Sequence, residues 1–127
     1  MEPKDLVKVW DAPDNSKLTP KQLSIRLPIL VAARISALCD MYPRKTKTEI
    51  IGDLLSTALD QLEAALPSIK GRKMGEIPDE GPYYEEVGLR GSFRSRTIKY
   101  LRELEEEAGI KEPMPFSEQF IFDEDAK

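Results

Sequence analysis

Gln22, Ser24 and Arg26 occupy every second position of KQLSIRLP, with Leu23, Ile25 and Leu27 between them. Alternation over such a run is the period of a half-buried strand, so the three polar side chains share one face and the three apolar ones the other. The polar types carry groups that match base edges: Gln bonds adenine bidentately, Arg bonds guanine, and Ser either. Any solvated strand face also carries polar residues, so on the alternation alone a plain surface strand is the commoner case. A second group lies in Arg44-Lys45-Thr46-Lys47-Thr48-Glu49. Thr46 with Glu49 three positions later is a capping box, which makes Thr46 the N-cap of a helix. The first N–H groups of a helix and its positive dipole end suit a phosphate, and Arg44, Lys45 and Lys47 reinforce that charge. A Thr cap flanked by lysines also occurs on ordinary surface helices.

Carboxylate or lysine chemistry is open in principle, but nothing in the chain gathers such groups into a recognisable motif, and the commoner catalytic sets are missing. The chain has no histidine, which removes Ser-His-Asp and Cys-His catalysis, histidine metal sites and a histidine pH switch. Its one cysteine, Cys39, cannot form an intrachain disulfide or a cysteine zinc cluster. No Walker-type or Rossmann-type glycine loop is present. The expectation is a protein without catalytic residues, metal or cofactor.

The elements that must position the two polar groups follow from periodicity. No second convincing strand lies near residues 22–27, and a lone strand leaves backbone groups unpaired at considerable cost. Antiparallel pairing with the same segment of a second copy, across a two-fold axis, resolves this and doubles the polar face into a ribbon that fits the major groove. Pro28 suits a first helical turn, and Val31, Ile35, Leu38 and Tyr42 recur at helical spacing up to Pro43. A second helix, Lys47 to Leu66, carries an apolar face wider than one strand and one helix of the same chain can cover. Its excess predicts intertwining with the partner, around a dimer core of Leu23, Ile25, Leu27, Ile35, Leu38, Ile51, Leu54, Leu55 and Leu59.

The segment resembles the ribbon-helix-helix (Arc/MetJ/CopG-like) family of DNA-binding proteins. LSIRLP leads into an apolar-periodic helix, and KTKTEII opens a second helix at the usual distance. The resemblance implies that Gln22, Ser24 and Arg26 read bases and that the turn at Thr46–Thr48 clamps phosphate. With the flanking charge, the phosphate contacts expected are Lys21, Lys45, Thr46, Lys47 and Thr48. The fold expected is mainly α with one short β-strand: a ribbon-helix-helix intertwined homodimer with a flexible N-terminal arm and a C-terminal extension. The function implied is that of a dimeric transcriptional repressor on double-stranded DNA, with higher assembly on DNA open. A rival on the same fold is an antitoxin whose residues 74–127 bind a toxin. A plasmid partition or transfer accessory protein is another, and a dimeric adaptor that binds protein and never DNA is a rival of a different class.

Charge is distributed accordingly. The formal net charge is −4, yet residues 17–73 hold ten Lys and Arg against five Asp and Glu, and residues 74–127 hold seven against fourteen. Local phosphate neutralisation sets non-specific DNA affinity, so the basic segment matters more than the total. Residues 1–19 read as an arm whose Leu6, Val7, Val9 and Trp10 can dock as a patch. Residues 20–67 read as the DNA-binding and dimerisation domain. Residues 68–91, with Gly71, Gly75, Pro78, Gly81 and Pro82, read as a linker. Residues 92–127 read as a helix from Ser92 to Ala108 whose charges oppose its own dipole, then an acidic, aromatic tail. No apolar run approaches a membrane span, and Met1–Asn15 lacks the apolar core of a signal peptide, so a cytoplasmic location is expected.

Overall fold

The computed structural model describes residues 5–6 and 17–122. Among them the chain forms helices α1 (Ile29–Met41) and α2 (Lys47–Ala65), strands β1 (Ile69–Ile77) and β2 (Gly81–Val87), helix α3 (Gly88–Glu107) and strand β3 (Phe120–Phe122). It divides into two compact units, Met1–Leu62 and Glu63–Lys127.

This overturns the expected fold class. The ribbon-helix-helix fold allowed one short strand, at 22–27. Among the described residues there are three helices and a three-stranded antiparallel sheet, a mixed α/β fold with 18% of those residues in strands, all from the half expected to be linker and tail. Residues 22–28 lie in neither a helix nor a strand.

In the first unit the two predicted helices form within a residue of their expected ends. The Pro28 carbonyl accepts the first helical bond, from Ala32 N at 3.0 Å, and Tyr42 N closes α1 on the Leu38 carbonyl at 3.0 Å. Ile50 is fully buried and packs with Leu6, 2% exposed, amid Leu38, Cys39, Tyr42 and Leu54. Leu6, one of the four apolar residues read as able to dock, thus lies in the core. Val7, Val9, Trp10 and the acidic end from Asp123 lie outside the described residues.

In the second unit, β1 and β2 form a hairpin and β3 adds to the other edge of β2, in the order β1-β2-β3. The glycines and prolines that suggested a linker have specific places in it. Gly81 at φ +87° follows the Pro78-Asp79-Glu80 loop, which is closed by Glu80 N donating to the Ile77 carbonyl at 3.0 Å. A three-residue hairpin loop needs such a left-handed residue, and glycine supplies it without a Cβ penalty. Gly75 faces the Tyr83 ring, where an added Cβ would lie 3.0 Å from ring atoms. Pro82 stands outside the stretch Tyr83–Glu85 that pairs with β3, so its missing N–H breaks no bond there.

Arginines of α3 hold this unit together. Arg90 donates from Nε to the carbonyls of Glu63 (3.1 Å) and Leu66 (3.0 Å), and from Nη2 to that of Ala64 (2.7 Å). These carbonyls lie at the end of α2, where intrahelical partners run out, and that of Glu63 also accepts from Leu66 N at 3.2 Å. Arg102 donates to the carbonyls of Met114 (3.1 Å) and Phe116 (2.8 Å) and to Glu105 Oε1 (2.7 Å). Glu105, 7% exposed, accepts from Met114 N at 2.6 Å. That bond and Arg102 hold its carboxyl below the usual carboxylate range. Helical spacing pairs Arg102 with Glu106 and leaves α3 opposing its own dipole. The structure instead pairs Arg102 with Glu105, and Arg94, Arg102 and Glu105 bond to Ser117, Met114 and Phe116.

Candidate nucleic-acid interface

The segment that carries Gln22, Ser24 and Arg26 runs exposed from Lys21 to Pro28. It enters from a turn in which Thr19 Oγ1 donates to the Lys21 carbonyl at 2.8 Å, and it leaves at the helix start after Pro28. Its apolar residues are as open as its polar ones. Leu23 is 84% exposed, Ile25 68% and Leu27 38%, and Ile29 and Leu30 continue the apolar run. So much open apolar surface in a short run is unusual for a single folded chain.

The expected dimer core divides in two. Ile35 is buried and Leu38, Ile51 and Leu54 are half-buried within the first unit. Leu23, Ile25, Leu27, Leu55 and Leu59 are exposed in the single chain. The packing of Leu6 explains part of this division, since it occupies the α1–α2 face around Ile50.

At the second group the capping box forms as its spacing predicts. Glu49 N donates to Thr46 Oγ1 and Thr46 N donates to Glu49 Oε1, both at 3.1 Å. Ile50 N donates to the Thr46 carbonyl at 3.1 Å. The N–H groups of Lys47 and Thr48 have no acceptor among the described residues, and both side chains are exposed. They offer donors at the positive end of a long helix. Lys45 departs from expectation: its side chain is only 8% exposed and lies 3.7 Å from Glu49 Oε2. An i,i+4 partner on the helix attracts the ammonium inward, so Lys45 supports the turn and does not present its charge to a ligand. Residues 17–62 nonetheless carry seven Lys and Arg against four Asp and Glu.

Sequence reasoning missed a groove of about 480 Å³ with mixed apolar and charged walls in the second unit, lined by β1, β2, the start of α3 and residues 118–120. Its carboxylates, Glu85, Glu86 and Glu118, are brought to one place only by the fold of the hairpin and the strand that joins it. The pair Glu85-Glu86 at the end of an aromatic run was the available signal, and it means little until β2 is recognised as a strand. No helix among the described residues is long and apolar enough to cross a membrane. Comparison with models of known protein families, with curated proteins and with solved structures found no match.

Proposed function

We propose that the chain is a dimeric, sequence-specific DNA-binding protein that acts as a transcriptional repressor. The 22–27 segments of two copies pair antiparallel and lay Gln22, Ser24 and Arg26 of each into the major groove. Thr46, Lys47 and Thr48 bind flanking phosphates and fix the register. One observation carries this reading: in the single chain the segment is engaged by neither helix nor sheet, and its alternate apolar side chains are open to water. Pairing with a second copy would satisfy the backbone groups and cover Leu23, Ile25 and Leu27 in one step, leaving the polar edge outward. Further support comes from the capping turn, whose Lys47 and Thr48 N–H groups lack described acceptors. The resemblance carried by LSIRLP and KTKTEII points the same way.

The test is a selection of bound sequences from random duplex DNA, followed by titrations at several salt concentrations. A shared motif with two-fold symmetry is expected. Arg26→Ala should relax preference at one position of each half-site, at roughly 1–3 kcal/mol for each bidentate arginine–base pair removed. Lys47→Ala should weaken all sequences alike and flatten the dependence on salt. Absence of salt-dependent binding to any duplex, together with tolerance of Arg26→Glu, would refute the proposal in favour of a protein-binding adaptor.

A further inference from the structure

Helical periodicity splits α3 into two sides. Glu105 is buried, and Arg94, Ile98 and Leu101 on the same side are half-buried. Arg96, Lys99, Tyr100, Glu103, Leu104 and Glu107 share the opposite side, and all six are exposed. Along that outward side the cations come first and the last acid lies at the helix end. Tyr100, 54% exposed, and Leu104, 43% exposed, stand near the middle. Within one chain this order is poorly supported. Arg96 bonds to the Ser92 hydroxyl at 3.1 Å and Lys99 lies 5.2 Å from the centre of the Tyr100 ring. Neither cation, nor Glu103, forms an ion pair among the described residues. No acid stands in the first turn and no base in the last, so the charges run against the helix dipole.

A second copy of the same side, laid antiparallel, supplies what is missing. A two-fold axis between Leu101 and Arg102 sets Arg96 across from the partner's Glu107 and Lys99 beside the partner's Glu103. The Tyr100 ring then lies against the partner's Leu104, every contact occurs twice, and the two dipoles oppose each other. A parallel arrangement would instead bring like charges together. We propose that α3 pairs antiparallel with α3 of a second copy through Arg96, Lys99, Tyr100, Glu103, Leu104 and Glu107. The contact has a small apolar centre and exposed ion pairs, so it is weak and sensitive to salt. It depends neither on DNA binding nor on pairing of the 22–27 segments. A chain that makes both two-fold contacts links dimers to one another.

The experiment is sedimentation velocity of the full chain carrying Leu23→Thr and Ile25→Thr, which leaves the α3 contact as the one under test. Association with a Kd on the order of 100 μM is expected at low salt, and its loss at about 0.5 M salt. Reversing either half, by Arg96→Glu with Lys99→Glu or by Glu103→Lys with Glu107→Lys, should weaken association by about tenfold or more. An equimolar mixture of the two reversed chains should associate at least as tightly as the unreversed one. All four positions are exposed, and neither reversal works against the helix dipole, so both chains are expected to fold, which circular dichroism checks. Association that persists in both reversed chains, a mixture that fails to associate, or an unreversed chain that stays monomeric up to about 1 mM would overturn the inference. So would a loss of duplex affinity on reversing Arg96 and Lys99 with association unchanged, which would make this side a nucleic-acid contact. Dimers formed only with Leu23 and Ile25 intact would leave the 22–27 pairing standing and this one refuted.

Discussion

Replacing Leu23 and Ile25 together by threonine separates dimer formation from folding of the chain. Leu23 is 84% exposed and Ile25 68% exposed in the single chain, so neither contributes much to its stability. Pairing of two 22–27 segments would bury what is now open. Full burial of a Leu or Ile side chain is worth roughly 1.5–3 kcal/mol. Scaled by those exposures the two residues amount to roughly 3 kcal/mol per chain. A dimer buries both copies, and threonine methyls recover a part, leaving a loss of roughly 5 kcal/mol. That corresponds to a rise of roughly three and a half orders of magnitude in the dimer dissociation constant. Threonine is β-branched and favours strands, so the effect would not come from lost propensity. Sedimentation equilibrium over a range of concentrations gives the constant, and far-UV circular dichroism of the diluted monomer gives the fold. A wild-type chain that stays monomeric at the highest concentration would refute the reasoning. So would a variant that dimerises as tightly as the wild type.

The other predictions concern the second unit. Arg90→Ala removes a guanidinium that serves three carbonyls at 2.7–3.1 Å; the freed carbonyls regain water, so a loss of about 1.5–3 kcal/mol is expected by urea unfolding, with Arg90→Lys intermediate. Gly91→Ala would drive its Cβ into the Glu86 carbonyl oxygen; backbone must move, and a lowered melting temperature is expected, by about 1–3 kcal/mol of stability. The Glu105 carboxyl is held below its ordinary value of 4.5 by Met114 N and Arg102. Its contribution to stability is therefore complete above that value and disappears as pH falls through the lower folded value. Urea unfolding between neutral and acid pH should show this slope in the wild type and a flatter one in Glu105→Gln.

How much of this was legible in the sequence depends on how local each cause is. The two helices of the first unit follow from the spacing of Val31, Ile35 and Leu38 and of Ile50, Leu54 and Leu55, with Pro43 and Pro67 as stops. The capping bond follows from Thr46 and Glu49 alone. The hairpin does not. Gly71 stands in a strand where the Val87 side chain crowds it, with an added Cβ 2.8 Å away, and nothing near position 71 announces Val87. Pro78, Gly81 and Pro82 are turn-forming in a linker and in a hairpin alike, and only the partner strands tell the two apart. Lys45 illustrates the same limit at the site: its charge is legible, but the direction of its side chain depends on Glu49 and on packing around it.

Arg90 also settles how the hairpin is inserted into the chain. Its own N–H donates to the Pro67 carbonyl at 3.0 Å, so the polypeptide leaves α2, travels out along β1, and comes home along β2 to the point of departure. Such an excursion is a side loop on the path from one helix to the next. Its length is thereby released from the geometry of everything else. Closing a longer loop costs little, about 0.6 kcal/mol for each doubling. Added residues between Asp79 and Glu80 would extend the far tip while its root at Pro67 and Arg90 stayed shut, making that tip the natural place to attach a reporter.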